Sequence, residues 1–169
     1  RRGDDGAAAA GDPVGHTGGT ALSERRLLRV LLADDHVTVR HGLKLLIEGE
    51  GDMTVVGEAS DGAAAVKLAV ECRPDVVVMD VSMPGVNGLV ATRMLKKVLP
   101  GAAVVMLTRH ADDAYLQELL RAGASGYVLK QSAPSELLQA IRAAAAGRQY
   151  LDSALTARVT AGFLARKGK

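Results

Sequence analysis

Apolar residues recur along this chain in two periods that alternate five times between Leu27 and Gly147. Short runs rich in Val and Leu at 28–33, 53–58, 75–79, 103–107 and 126–129 read as strands. The third is continuously apolar, as a strand buried on both faces requires. The segments between them carry helical spacing. Residues 37–48 place Val39, Leu43, Leu46 and Ile47 on one face, and helices are expected at 62–72, 87–98 and 112–122, the last closed by Gly123. A fifth helix follows residue 129, with Ser132 or Ser135 available to cap a face of Leu137, Leu138, Ile141 and Ala145. Strand–helix units joined by short connections predict a doubly wound α/β fold, a parallel sheet with helices on both faces. Beyond Gly147, Leu151, Leu155, Val159 and Phe163 are spaced by four and read as one more helix, lying on the domain or leading away from it.

The strand ends carry the chemistry. The first run ends at Asp34-Asp35, the third at Asp80, the fourth at Thr108 and the fifth at Lys130. In an open parallel sheet the carboxyl ends of the strands share one edge, where ligands bind. Asp34, Asp35 and Asp80 converge there if the first and third strands are neighbours. Three crowded carboxylates repel one another and attract a hard cation such as Mg²⁺ or Mn²⁺. A carboxylate is also able to attack phosphorus and form an acyl phosphate. Asp80 suits that role, because it ends the central strand and the Pro84-Gly85 turn beyond it leaves the rim open. Thr108 then supplies a hydrogen bond to a phosphoryl oxygen and Lys130 a point charge. A single strand-end Asp more often caps a helix or makes a turn. Three carboxylates, a hydroxyl and an ammonium at successive strand ends are not accounted for in that way.

Composition narrows the classes. With 48% apolar but only 2% aromatic residues, the core must be built from aliphatic side chains. One cysteine, Cys72, excludes an internal disulfide and fits a reducing compartment, so a cytoplasmic setting is expected. No apolar run approaches the roughly 20 residues that span a bilayer. A net charge of +2 favours no partner class, and the basic residues near the two ends read as solvated tails. Residues 1–24 are rich in Gly, Ala, Asp and Thr without period and are too poor in apolar surface to offset ordering entropy.

The stretches LLADDH, VVVMDVSMPGVNGL, VVMLT and GYVLK resemble the receiver domain of bacterial two-component response regulators. The likeness runs from Arg29 to Gly147, with Asp35, Asp80, Thr108 and Lys130 separated by 45, 28 and 22 residues. The segment from Asp34 to Leu43, of the form DDHxxVRxGL, and the Ala-rich fifth helix entering GRQYLD look like the NarL/FixJ (LuxR-type) subfamily in particular. The resemblance implies a flavodoxin- or CheY-like five-stranded sheet of order 2-1-3-4-5. It implies that Asp80 accepts phosphate from a sensor histidine kinase, that Asp34, Asp35, Asp80 and the backbone carbonyl of Ser82 hold Mg²⁺, and that Thr108 and Lys130 bind the phosphoryl group. Tyr127 stands where the family keeps its switch aromatic, which turns inward when Thr108 moves. The domain is expected to act as a signalling switch, not as an enzyme on a separate substrate, and to dimerise on activation.

The expected organisation is a flexible leader at 1–26, a receiver domain at 27–148 and a linker helix at 149–169. That helix would lead toward a helix-turn-helix output domain absent from this chain, through which alone DNA would be bound. A natural stand-alone receiver is the alternative. Arg109 and His110 after Thr108 depart from the small residue that many receivers carry there. Two rivals belong to other classes. A haloacid-dehalogenase-type phosphatase also uses a strand-end Asp, but it places a second Asp where this chain has Ser82. A pseudo-receiver that only dimerises would not need the acidic set.

Overall fold

The computed structural model describes residues 26–109, 113–132 and 134–157. Strands β1 (Leu28–Ala33), β2 (Met53–Ala59), β3 (Val76–Asp80), β4 (Ala103–Thr108), β5 (Gly126–Leu129) and β6 (Tyr150–Leu151) alternate with helices α1 (Val37–Glu48), α2 (Gly62–Cys72), α3 (Gly88–Val98), α4 (Asp113–Arg121) and α5 (Pro134–Ala145). All strand pairs are parallel, in the order β2-β1-β3-β4-β5-β6.

The period of two along each strand explains the layers. Leu31, Val77, Met79, Val104 and Met106 face one side and pack with Ala65, Ala69, Leu95 and Leu119 of α2, α3 and α4. Val30, Leu32, Val76, Val78, Val105 and Leu107 face the other and pack with Ile47 of α1 and Leu137 and Ile141 of α5. With almost no aromatic residues in the chain, alanine brings α2 close, and Ala65 and Ala69 are fully buried against the sheet. Every residue of β3 is buried, as its unbroken apolar run predicts.

Local signals set the helix ends. Asp61 Oδ1 accepts the Ala64 amide at 2.8 Å and Asn87 Oδ1 the Val90 amide at 2.9 Å, so each caps a helix start. After α4 the chain reverses through Gly123, whose φ of +92° favours glycine.

Two expectations are corrected. The segment after Gly147 does not enter a helix directly. Tyr150 N donates to Ser125 O and Asp152 N to Tyr127 O, each at 2.9 Å, and a sixth strand covers what would otherwise be the open edge of β5. Helical structure begins at 153 and is described as far as 157; Val159 and Phe163 lie outside the described residues. Neither serine opens α5 as expected. Ser135 lies within the helix, and the Ser132 hydroxyl donates to Asp152. Pro134 starts the helix instead, its missing N–H costing nothing in a first turn. Of the expected leader at 1–26, residues 1–25 also lie outside the described residues. Among those described, no helix is long and apolar enough to cross a membrane.

Candidate functional site

The order β2-β1-β3-β4-β5 brings the ends of β1, β3, β4 and β5 side by side. Asp80 is the last residue of β3 and pairs in register with Leu107, so Thr108 stands one residue further along the neighbouring strand. Val81 N donates to Leu107 O at 2.9 Å, and Gly88 N closes the following loop on Val81 O at 3.0 Å. A Cβ at Gly88 would sit 2.1 Å from the Asp80 carbonyl oxygen, so only glycine lets α3 start this close to the strand end. The turn itself passes through Gly85 at φ +71°.

Lys130 joins the carboxylates. Its backbone N–H donates to Thr108 O at 2.8 Å, extending the β4–β5 pairing by one residue. Its Nζ donates to Asp80 Oδ2 at 2.8 Å and to Asp34 Oδ2 at 3.2 Å. Asp34 and Asp80 are each only 1% exposed. The remaining oxygens of both take backbone amides: Ser82 N to Asp80 Oδ1 at 3.1 Å and His36 N to Asp34 Oδ1 at 2.8 Å. Asp35 differs. Its Oδ1 is buried and has no hydrogen-bond donor among the described residues. His36 Nδ1 lies 3.1 Å away as an ion-pair contact, while its hydrogen bond is to Asp34 Oδ1 at 3.3 Å. Ligand atoms of Asp34, Asp35, His36 and Asp80 all lie within 4.8 Å of one another. A buried carboxylate oxygen without a hydrogen-bond donor, among three clustered carboxylates, is an arrangement that a hard cation satisfies.

The electrostatics at Asp80 are opposed. Burial pushes its carboxyl above the ordinary range, and the neighbouring charge of Asp34 adds to this. Lys130 pulls it down by hydrogen bond and by charge, and the Ser82 amide does so less. The net direction is upward.

Asp34, Asp35, Asp80, Thr108 and Lys130 therefore meet at one rim. Thr108 is buried at the end of β4. Ser82 is exposed and turns its amide to Asp80. Tyr127 is set apart from this rim. It pairs in register with Met106, and its buried hydroxyl donates to Leu119 O at 2.8 Å and Ala124 O at 3.0 Å. Arg109 is exposed, and its carbonyl accepts Gln131 Nε2 at 3.4 Å; His110 lies outside the described residues. Sequence reasoning left two neighbours of the site without a role. His36 enters the carboxylate cluster, a position signalled only by its adjacency to Asp35. Arg40 reaches back one helical turn, with Nη1 2.6 Å from the Asp34 carbonyl oxygen and Nε 3.2 Å from Glu58.

A family model described as the response regulator receiver domain matches residues 30–142. The chain belongs to that family. The receiver domain is 43% identical over 133 residues to the transcriptional regulatory protein LiaR of Bacillus subtilis, covering 79% of this chain and 63% of that protein, so it spans less than two-thirds of the relative's length. Among solved structures, a LuxR-family two-component response regulator from Aurantimonas sp. SI85-9A1 is 39% identical with a TM-score of 0.79, covering 82% of this chain and 99% of that one. The signal receiver domain of the putative response regulator NarL from Mycobacterium tuberculosis is 34% identical with a TM-score of 0.70, covering 73% and 99%. These likenesses place the receiver domain in the NarL/LuxR subfamily.

Proposed function

We propose that this receiver domain is a phosphorylation-controlled switch in which Asp80 is the phosphoacceptor. The observation that carries the reading is the Lys130 ammonium held between the Asp80 and Asp34 carboxylates, beside an Asp35 oxygen without a donor. An Asp80 oxygen attacks the phosphorus of a phosphohistidine on a sensor histidine kinase. The O–P bond forms as the P–N bond breaks, and the released imidazole takes up a proton. Lys130 leaves its carboxylate partner to pair with a phosphoryl oxygen, and Thr108 donates to another.

Asp34, Asp35, Asp80 and the Ser82 carbonyl form the proposed Mg²⁺ site. The three clustered carboxylates and the buried Asp35 Oδ1 without a hydrogen-bond donor among the described residues support it, and Mn²⁺ suits these carboxylates and the neighbouring His36. A cation held by these residues would supply positive charge to offset the carboxylate and phosphoryl oxygens. Tyr127 is the proposed reporter of Thr108 movement, since its hydroxyl is anchored on the end of α4 and the turn before β5.

In the longer protein, phosphorylation would bias a homodimer and the activity of a DNA-binding output domain in the cytoplasm. Exposed Val37 and Leu45 support a contact through the face of α1. Residues 149–169 would connect to that output domain, and 1–26 would precede the receiver domain. The test is intact-mass analysis after incubation with acetyl phosphate. One phosphoryl group is expected with Mg²⁺, with little without it, and none in Asp80→Asn. A variant that labels like the parent would overturn the assignment.

A further inference from the structure

Asp152 is the one buried carboxylate outside the acidic cluster among the described residues, at 2% exposure. Its two oxygens serve different parts of the fold. Oδ2 accepts the Leu129 amide at 3.0 Å and the Ser132 hydroxyl, and so grips the chain on either side of Lys130. Oδ1 accepts the Ala154 amide at 2.9 Å, and Asp152 O accepts the Thr156 amide at 2.9 Å, which opens the helical turn at 153–157. The Asp152 amide is tied to Tyr127 O. A second fastening lies alongside, where Glu136 of α5 accepts from the hydroxyls of Tyr150 and Ser153. The loop that carries Lys130 and the start of the segment after β6 are thus held by the same buried side chain.

We propose that Asp152 is a positioning residue that couples the phosphoryl-binding lysine to the helix at 153–157. The inference rests on the phosphoacceptor reading. When Lys130 leaves Asp80 and Asp34 for a phosphoryl group, the residues bracketing it shift, and the Oδ2 contacts shift with them. A carboxylate moves as a rigid plane, so its Oδ1 bond to the helix start is disturbed too. Coupling between two sites is reciprocal, so loosening Asp152 also weakens the hold of the Lys130 loop on the phosphoryl group.

The experiment uses this chain, with beryllofluoride plus Mg²⁺ as a phosphoryl mimic and hydrogen exchange at 153–157 as the readout. Binding of the mimic at Asp80 is followed independently by fluorine resonance. In the parent, exchange at 153–157 changes when the mimic binds. In Asp152→Asn and Ser132→Ala the mimic still binds, weaker by about fivefold or more, and the mimic-dependent change at 153–157 is lost. Ser132→Ala removes one surface-loop hydroxyl and leaves the core intact, so it keeps the test open if Asp152→Asn melts early. A purely structural Asp152 would raise exchange equally with and without the mimic and leave the mimic-dependent difference in place, and that result overturns the proposal. A parent that binds the mimic without any response at 153–157 overturns it as well. Failure of the parent to bind the mimic, with no labelling by acetyl phosphate, overturns instead the phosphoacceptor reading on which it rests.

Discussion

At the scale of single residues, Asp80 sits in surroundings that resist its charge, and that resistance has a measurable sign. Its carboxyl is raised by burial and by Asp34 more than Lys130 lowers it. A raised folded-state value means that the stabilising contribution is present at low pH and is lost as pH rises through that value. Asp80→Asn removes the ionisable group while keeping its shape. Its melting temperature in metal-free buffer at neutral pH is expected to exceed the parent's, and its stability to vary less with pH in the weakly acidic range. Thermal melts across that range check this; a lower melting temperature at neutral pH would contradict it. Tyr127 gives a second case. Burial pushes its hydroxyl up from 10.0 to about 12, so its contribution holds below pH 10 and is lost as pH approaches 12. Tyr127→Phe loses the donor that serves Leu119 O and Ala124 O, which should cost about 1–3 kcal/mol in urea unfolding at neutral pH. The variant should also lack that residue's share of the alkaline loss. An unchanged unfolding midpoint would mean the two carbonyl contacts contribute nothing.

At the scale of elements, the strands were legible because the core is aliphatic and every buried strand shows its apolar run. The run 75–79 announced a two-sided strand, and β3 is buried throughout. The convergence of Asp34, Asp35, Asp80, Thr108 and Lys130 followed from strand ends and needed only the sheet order. The strand β6 was not legible. Two residues carry no period, and Leu151 and Leu155, four apart, match a helix as well as they match anything. Nor was Asp152, whose partners are 20 and 23 residues away in sequence. Ser132 looked like a cap because its local context is that of a helix start, and only the packing of the later segment turns its hydroxyl elsewhere. Leu155 shows that this segment is more than a tether, since it is completely buried in the cluster that contains Leu119 and Tyr127. Leu155→Ala is expected to cost about 2–5 kcal/mol in chemical denaturation. A loss below about 0.5 kcal/mol, as for surface positions, would show that the segment after β6 is not part of the folded domain.

At the scale of the whole molecule, the sheet separates two tasks. One edge gathers the charged rim, while on the flank of β5 Asp152 fastens the turn at 153–157 to the residues on either side of Lys130. Specific DNA reading needs an element entering a groove and several side chains reaching base edges. The described residues form a sheet with its covering helices, with no separate element of that kind. Phosphorylated or not, the receiver domain that the described residues form is expected to bind a promoter fragment and scrambled DNA alike in gel shifts at physiological salt. A preference of about tenfold, or 1.4 kcal/mol, would contradict this. The central claim concerns one atom group, the Asp80 carboxylate, and chemical trapping tests it most directly. Protein treated with acetyl phosphate and Mg²⁺ is reduced with borohydride, which converts an acyl phosphate to the alcohol, and its peptides are then sequenced by mass spectrometry. Homoserine at position 80, with Asp34 and Asp35 unchanged, is the predicted result. Homoserine at position 34 or 35, or none in a sample shown to carry the phosphoryl group, would contradict the account.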